Sequence, residues 1–138
     1  MFTERIFQTA EELMAALRAG EVSSAELTDE AIARIERDDT AVNAICVPDF
    51  DRARAAARDA DEARARGEDR PLLGLPVTVK ESFDMAGLPT TWGMPPHRDF
   101  VPAEDAVPDP FALSYSPEST ACAALRASSA LSAARAAA

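Results

Sequence analysis

A chain of 138 residues with 47% hydrophobic and 28% charged side chains has the size and make-up of one soluble globular domain. Its formal charge of −10 argues against non-specific nucleic-acid binding, which needs a basic face to neutralise phosphates. The apolar runs fall far short of the roughly 18 residues that a spanning helix requires.

The start, MFTERIFQTAEEL, carries early acids and no apolar leader segment. The first predicted helix is TAEELMAALRAGE. Thr9 and Glu12 form a capping box, Leu13, Ala16 and Leu17 make one apolar stripe, and Gly20 supplies the stop. A second helix follows in SSAELTDEAIARIERDD, with Ser23 and Glu26 as its box and Leu27, Ala31, Ile32 and Ile35 facing inward. The short gap between the two predicts a helical hairpin.

AVNAICVP is predicted as a strand closed by Pro48, with Cys46 inside it as a small core residue. DFDRARAAARDADEARARGED reads as a third helix, capped by Asp49 or Asp51, supported by a Glu62–Arg66 pair and ended by Gly67. Its charge run is a solvated face. GLPVTVK is a strand with Leu75, Val77 and Val79 on one side and Thr78 and Lys80 on the other. A strand, a helix and a second strand in that order predict a parallel pair in an α/β layer. DMAGLPTTWGMPPHRDFVPAEDA is punctuated by glycine and proline and is expected to be irregular.

After about residue 107 the chain has no glycine and no lysine and drifts into alanine, serine and arginine. This divides it into a domain portion, 1–107, and a tail, 108–138. ACAALRASSALSAARAAA has helical propensity, but Leu125 and Leu131 are too few large apolar residues to dock it, so weak order is expected.

Chemistry has few candidates. His97 is the sole histidine and lies in a proline-flanked loop without a nucleophile elbow, so it reads as a surface residue. Cys46 and Cys122 lack disulfide or zinc spacing, and a reducing cytoplasm is the expected location. With a single histidine and no CxxC spacing no metal site is expected, and with no Walker loop and no GxGxxG no cofactor is expected. Lys80, taken alone, is a strand-end lysine that snorkels to solvent.

Its neighbours change that reading. GLPVTVKESFDMAGLPTTWG resembles the lysine strand of the amidase signature family, hydrolases of amide carbon–nitrogen bonds. The similarity extends through SSAELTDEAIARIE and the strand, alanine-rich helix, turn and lysine strand, over about residues 9–107. Glu81 stands where many members carry aspartate. The resemblance implies an α/β fold, the N-terminal fragment of the amidase signature fold, with Lys80 as the catalytic lysine of a Ser–cis-Ser–Lys triad. In that scheme a neutral lysine takes a proton from the middle serine, which activates the nucleophilic serine, and backbone N–H groups hold the oxyanion. Making a lysine such a base means lowering its pKa by about three units, at about 4 kcal/mol, and so requires burial.

The family's serines sit in a glycine-rich segment of the GGSSGG kind. This sequence has none, and Ser128 and Ser129 in RASSALS are flanked by alanines that disfavour the tight turn and the cis peptide. A truncated amidase is therefore expected, out of frame beyond about residue 107, with Lys80 hydrated and no activity alone. A glycine-rich serine motif is expected in one frame of the downstream DNA. The implied partners are a small-molecule amide substrate once the missing region is supplied, and a second copy or another chain at exposed strand edges. No nucleic acid or membrane partner is expected. A relative's work on glutamyl-tRNA brings an amidotransferase role within the resemblance, which the −10 charge does not favour. The alternatives are a small helical interaction module built on residues 9–38 and a complementing, non-catalytic subunit.

Overall fold

Thr9 and Ser23 start helices by the same device. Each stands in extended backbone, accepts the N–H of the residue three positions on, and gives its own N–H to that glutamate. Glu12 N–H reaches Thr9 Oγ1 at 3.2 Å and Thr9 N–H reaches Glu12 Oε2 at 2.6 Å. Ser23 and Glu26 repeat the pattern at 2.8 and 3.1 Å. The resulting helices are α1, Ala10–Ala19, and α2, Ser24–Asp38. Gly20 closes α1 at a φ of 69°, its N–H turned back to the Ala16 and Leu17 carbonyls. The computed structural model describes residues 5–106 and 124–127.

The same cap N–H bonds, with the cap hydroxyls second, hold the Glu12 and Glu26 carboxyls below their ordinary value of 4.5. A lowered carboxyl stabilises the fold above its unfolded value and loses that contribution as pH falls through the folded one. Acidification below 4.5 is therefore expected to loosen both helix starts. Faster exchange of the Thr9 and Ser23 amide protons, absent in Glu12→Gln and Glu26→Gln, checks this. Equal acid sensitivity in those variants contradicts it.

The donors of the first turn of α2 are met from another helix, α3, Phe50–Ala65. Ser24 N–H and Ala25 N–H donate to the Asp61 carboxylate at 2.7 and 3.1 Å. One turn further along, Arg64 donates to Ser24 Oγ at 3.2 Å, to Asp61 at 3.3 Å and to the Leu73 carbonyl. Ala53, Ala57, Ala60 and Ala63 form the buried side of α3. Alanine lets helices approach closely, and the helix lying along α2 is α3 rather than α1. The predicted α1–α2 hairpin is thus replaced by an α2–α3 pair. From α1, Met14 and Leu17 instead enter a cluster with Val22, Leu27 and Leu75, while Ile32 packs on Ala53.

The strand expected over AVNAICVP does not form, apart from a single bridge at Val47. Asp39 takes the donors that a strand would need. Its carboxylate accepts Ala44 N–H at 2.7 Å and Ile45 N–H at 3.1 Å, and its carbonyl accepts Asn43 N–H at 2.6 Å. Asn43 is left-handed, with φ 52°. In this loop Cys46 is exposed, not a core residue. Asp49 precedes α3 without capping it, because its carboxylate pairs with Arg52, and Arg66 pairs with Glu68 at 3.1 Å.

The predicted strand around Lys80 does form, as β1, Val77–Lys80. Its parallel partner is β2, Ala124–Ala127, with Val77 opposite Ala124 and Lys80 opposite Ala127. The pairing is parallel, as predicted for an α/β layer, but the partner comes from the tail and not from residues 41–48. The strand–helix–strand unit of the prediction accordingly lacks its first strand. These four tail residues are extended where alanine propensity favours helix. The expected weak order of the rest of 108–138, together with Cys122, Ser128, Ser129 and Leu131, lies outside the described residues.

Candidate active site

The approach to Lys80 is built from a buried turn. Leu73, Gly74 and Leu75 are all buried before β1 begins. Gly74 has φ +79° and sits against Ser24 at the start of α2. From there β1 alternates: Val77 and Val79 are half-buried, Thr78 and Lys80 exposed. Phe83 N–H returns to the Lys80 carbonyl at 3.0 Å and turns the chain off the strand end. Lys80 therefore stands with its side chain in water, on the face predicted by the period-two pattern.

Lys80 is the only lysine in the sequence. Brief treatment of the folded chain with an amine-acylating reagent is expected to modify it about as fast as in the unfolded chain. Strong protection, read by peptide mapping, contradicts its exposure.

The next residue faces the other way. Glu81 is 4% exposed, and its carboxylate accepts the N–H groups of Thr91 and Trp92, the latter at 3.0 Å. Thr91 Oγ1 accepts Gly93 N–H at 3.1 Å. The segment after β1 is irregular, as predicted, yet it is cross-tied. Thr90 N–H donates to the Phe100 carbonyl, Gly87 N–H to Pro102 and Ala106 N–H to Asp84, at 2.9 to 3.1 Å. Asp105 accepts Ala86 N–H at 2.7 Å. The sequence sets Glu81 beside Lys80 without revealing its task. The available signal was the strand alternation, which carries residue 81 inward with Val77 and Val79.

The remaining predicted candidates do not join this site. His97 is exposed in a short 3-10 turn, Pro95–His97. Ser128 and Ser129 lie outside the described residues, so no contact between them and Lys80 is described. Among the described residues no group of three His, Cys, Asp or Glu side chains is placed to hold a metal ion. Among them, too, no helix is long and apolar enough to cross a membrane.

The sequence pattern of the Amidase family matches residues 26–108, a span that includes β1, Lys80 and Glu81. The chain belongs to the amidase family. A glutamyl-tRNA(Gln) amidotransferase subunit from Synechococcus sp. (strain CC9311) is 46% identical over 87 residues, covering 62% of this chain and 18% of that protein. The structure is similar to an amidase family protein from Bacillus anthracis, with a TM-score of 0.74, 27% identity and coverage of 90% of this chain and 24% of that one. It is also similar to the peptide amidase of Stenotrophomonas maltophilia, with a TM-score of 0.67, 28% identity and coverage of 74% and 21%. This amidase-family chain spans about a fifth of the length of the curated relatives it matches. What is described is an N-terminal portion of the amidase signature fold, α/β in class.

Proposed function

We propose that this chain carries the lysine-bearing part of an amide carbon–nitrogen hydrolase and turns over no amide unaided. One observation carries the reading: Lys80 ends a strand inside the family-matched segment, yet its side chain is in water. In the Ser–cis-Ser–Lys scheme a neutral amine takes the proton of the middle serine, and that serine takes the proton of the nucleophile. The nucleophile adds to the amide carbonyl, the tetrahedral oxyanion is held by backbone N–H groups, and collapse expels the amine after it gains a proton. Such a base needs walls that keep water away. Among the described residues none keeps water from Lys80, and the sequence contains no glycine-flanked serine pair for it to serve.

The purified chain is expected to show no hydrolysis of a simple aryl amide above the blank. Turnover that Lys80→Ala abolishes would sink this reading. The relatives' name, that of a glutamyl-tRNA(Gln) amidotransferase subunit, supports amide transfer as the use of that lysine and supports a multi-subunit setting. The net charge of −10 does not favour contacts to tRNA phosphates from these residues. The match ends at residue 108, where the composition changes, which supports reading 108–138 as a divergent tail.

Of the two alternatives, the complementing, non-catalytic role is favoured over the helical module. Met14, Leu17, Leu27 and Ile32 are buried within the chain, so the helix pair has no large apolar stripe left to offer a partner.

A further inference from the structure

Trp92 holds a backbone conformation that bulky side chains avoid. Its φ is 54° and that of Gly93 is 67°, so two successive residues are left-handed. The indole is 60% exposed, and its burial therefore does little to offset that cost. The turn is held instead by the Glu81 carboxylate, itself 4% exposed. Thr91 N–H donates to Glu81 Oε1. Trp92 N–H is shared between the two oxygens, 3.3 Å from Oε1 and 3.0 Å from Oε2. On the far side Gly93 N–H closes on Thr91 Oγ1 at 3.1 Å, and Met94 N–H on the Thr91 carbonyl at 2.9 Å.

Successive N–H groups turned to one side of a tight turn form a concave nest that takes anions. Here the nest is filled by the chain's own carboxylate. Its donors suit that group: one N–H spans both oxygens while the other closes on one of them. A spherical halide has no second acceptor to offer the shared donor. Burial keeps water from competing for these charge-assisted bonds, which strengthens them. The left-handed Trp92 costs free energy for as long as the turn is formed, and the carboxylate contacts offset that cost. Nest and occupant therefore form together.

We propose that the turn at Thr91 and Trp92 is a carboxylate-binding site that keeps its shape only while a carboxylate fills it, with Glu81 as its built-in ligand. Occupancy thereby sets the order of the loop from Thr90 to Phe100. The tether gives Glu81 a high effective concentration, so free carboxylates do not displace it from the parent chain. Replacing Glu81 by alanine removes a fragment the size of acetate and leaves the same two donors facing the gap. The site stands independently of the hydrolase reading.

The test uses the full 138-residue chain. In Glu81→Ala, protection of the Thr91 amide against hydrogen exchange is expected to fall by about tenfold or more, and the fluorescence anisotropy of Trp92 to fall with it. Sodium formate or acetate should restore both saturably, sodium chloride at equal ionic strength should restore neither, and the parent chain should respond to none of the three. No restoration by either carboxylate overturns the proposal, and so does equal restoration by chloride. Because Glu81→Ala can fail to fold, Trp92→Asn is measured in the otherwise unchanged chain. Asparagine enters the left-handed region more readily and keeps the N–H, so the Thr91 amide is expected to exchange about threefold more slowly than in the parent. Equal or faster exchange there overturns the strained nest and the proposal with it.

Discussion

Gly74→Ala is expected to lower the melting temperature by about 15 °C, or to prevent folding outright. Two costs coincide at this position. A Cβ on Gly74 would lie 1.8 Å from Ser24 Oγ and 2.8 Å from Ser24 Cβ, with Arg64 Nη2 at 3.1 Å. The backbone there is also left-handed, at φ +79°, which costs a side-chain-bearing residue about 1 kcal/mol. Overpacking of a filled site adds about 1–3 kcal/mol, against a total stability of about 5–15 kcal/mol for an ordinary domain. Ser24 cannot move aside cheaply, because its N–H is held by Asp61 and its Oγ by Arg64. Adding Ser24→Gly to Gly74→Ala clears the collision but keeps the unfavourable φ, so the double variant is expected to recover part of the loss. Thermal melts of the two variants check the argument. A Gly74→Ala chain melting with the parent shows that α2 and the turn before β1 are not in contact.

The second large effect falls at Glu81. Glu81→Ala removes the acceptor of the Thr91 and Trp92 N–H groups, and each part-buried donor left unmet costs about 1–3 kcal/mol. The loss is expected to be local. The loop from Thr90 to Phe100 opens, while the α2–α3 pair, which rests on Asp61, Arg64 and the alanine face of α3, keeps its melting behaviour. Trp92 is the only tryptophan, so its fluorescence anisotropy reads the loop directly. Glu81→Gln, which retains one carbonyl oxygen, is expected to fall between parent and Glu81→Ala. Hydrogen exchange at the Thr91 and Trp92 amides decides the matter, and unchanged protection in Glu81→Ala sinks the assignment.

Both effects arise from contacts between segments far apart in sequence, and this marks the boundary of what the sequence revealed. The capping boxes at Thr9 and Ser23 were legible because the device needs only two residue types three positions apart. The alternation along β1 was legible for the same local reason. AVNAICVP misled because its β-branched and apolar side chains favour a strand, while the deciding group, the Asp39 carboxylate, lies several residues upstream at the end of α2. Asp61 read as one charge in a solvated run, yet it caps a different helix, which only the packing of α3 on α2 can show. For the site, the position and outward face of Lys80 were readable, and so was its resemblance to a catalytic lysine. The clamp made by Glu81 was not, since its donors are ten and eleven residues away in a segment without periodicity.

The alanine face of α3 has a thermal corollary. Methyl groups allow close approach but expose little hydrocarbon when the helices part, and the heat capacity gained on unfolding grows with the hydrocarbon area exposed. With Ala53 set against Ile32 of α2 and Ala60 and Ala63 against Leu73, the buried side of α3 itself contributes little of that area, which makes the temperature dependence of its packing shallower. Cooling and moderate warming should alter the hold on α3 less than they would if leucines stood at those four positions.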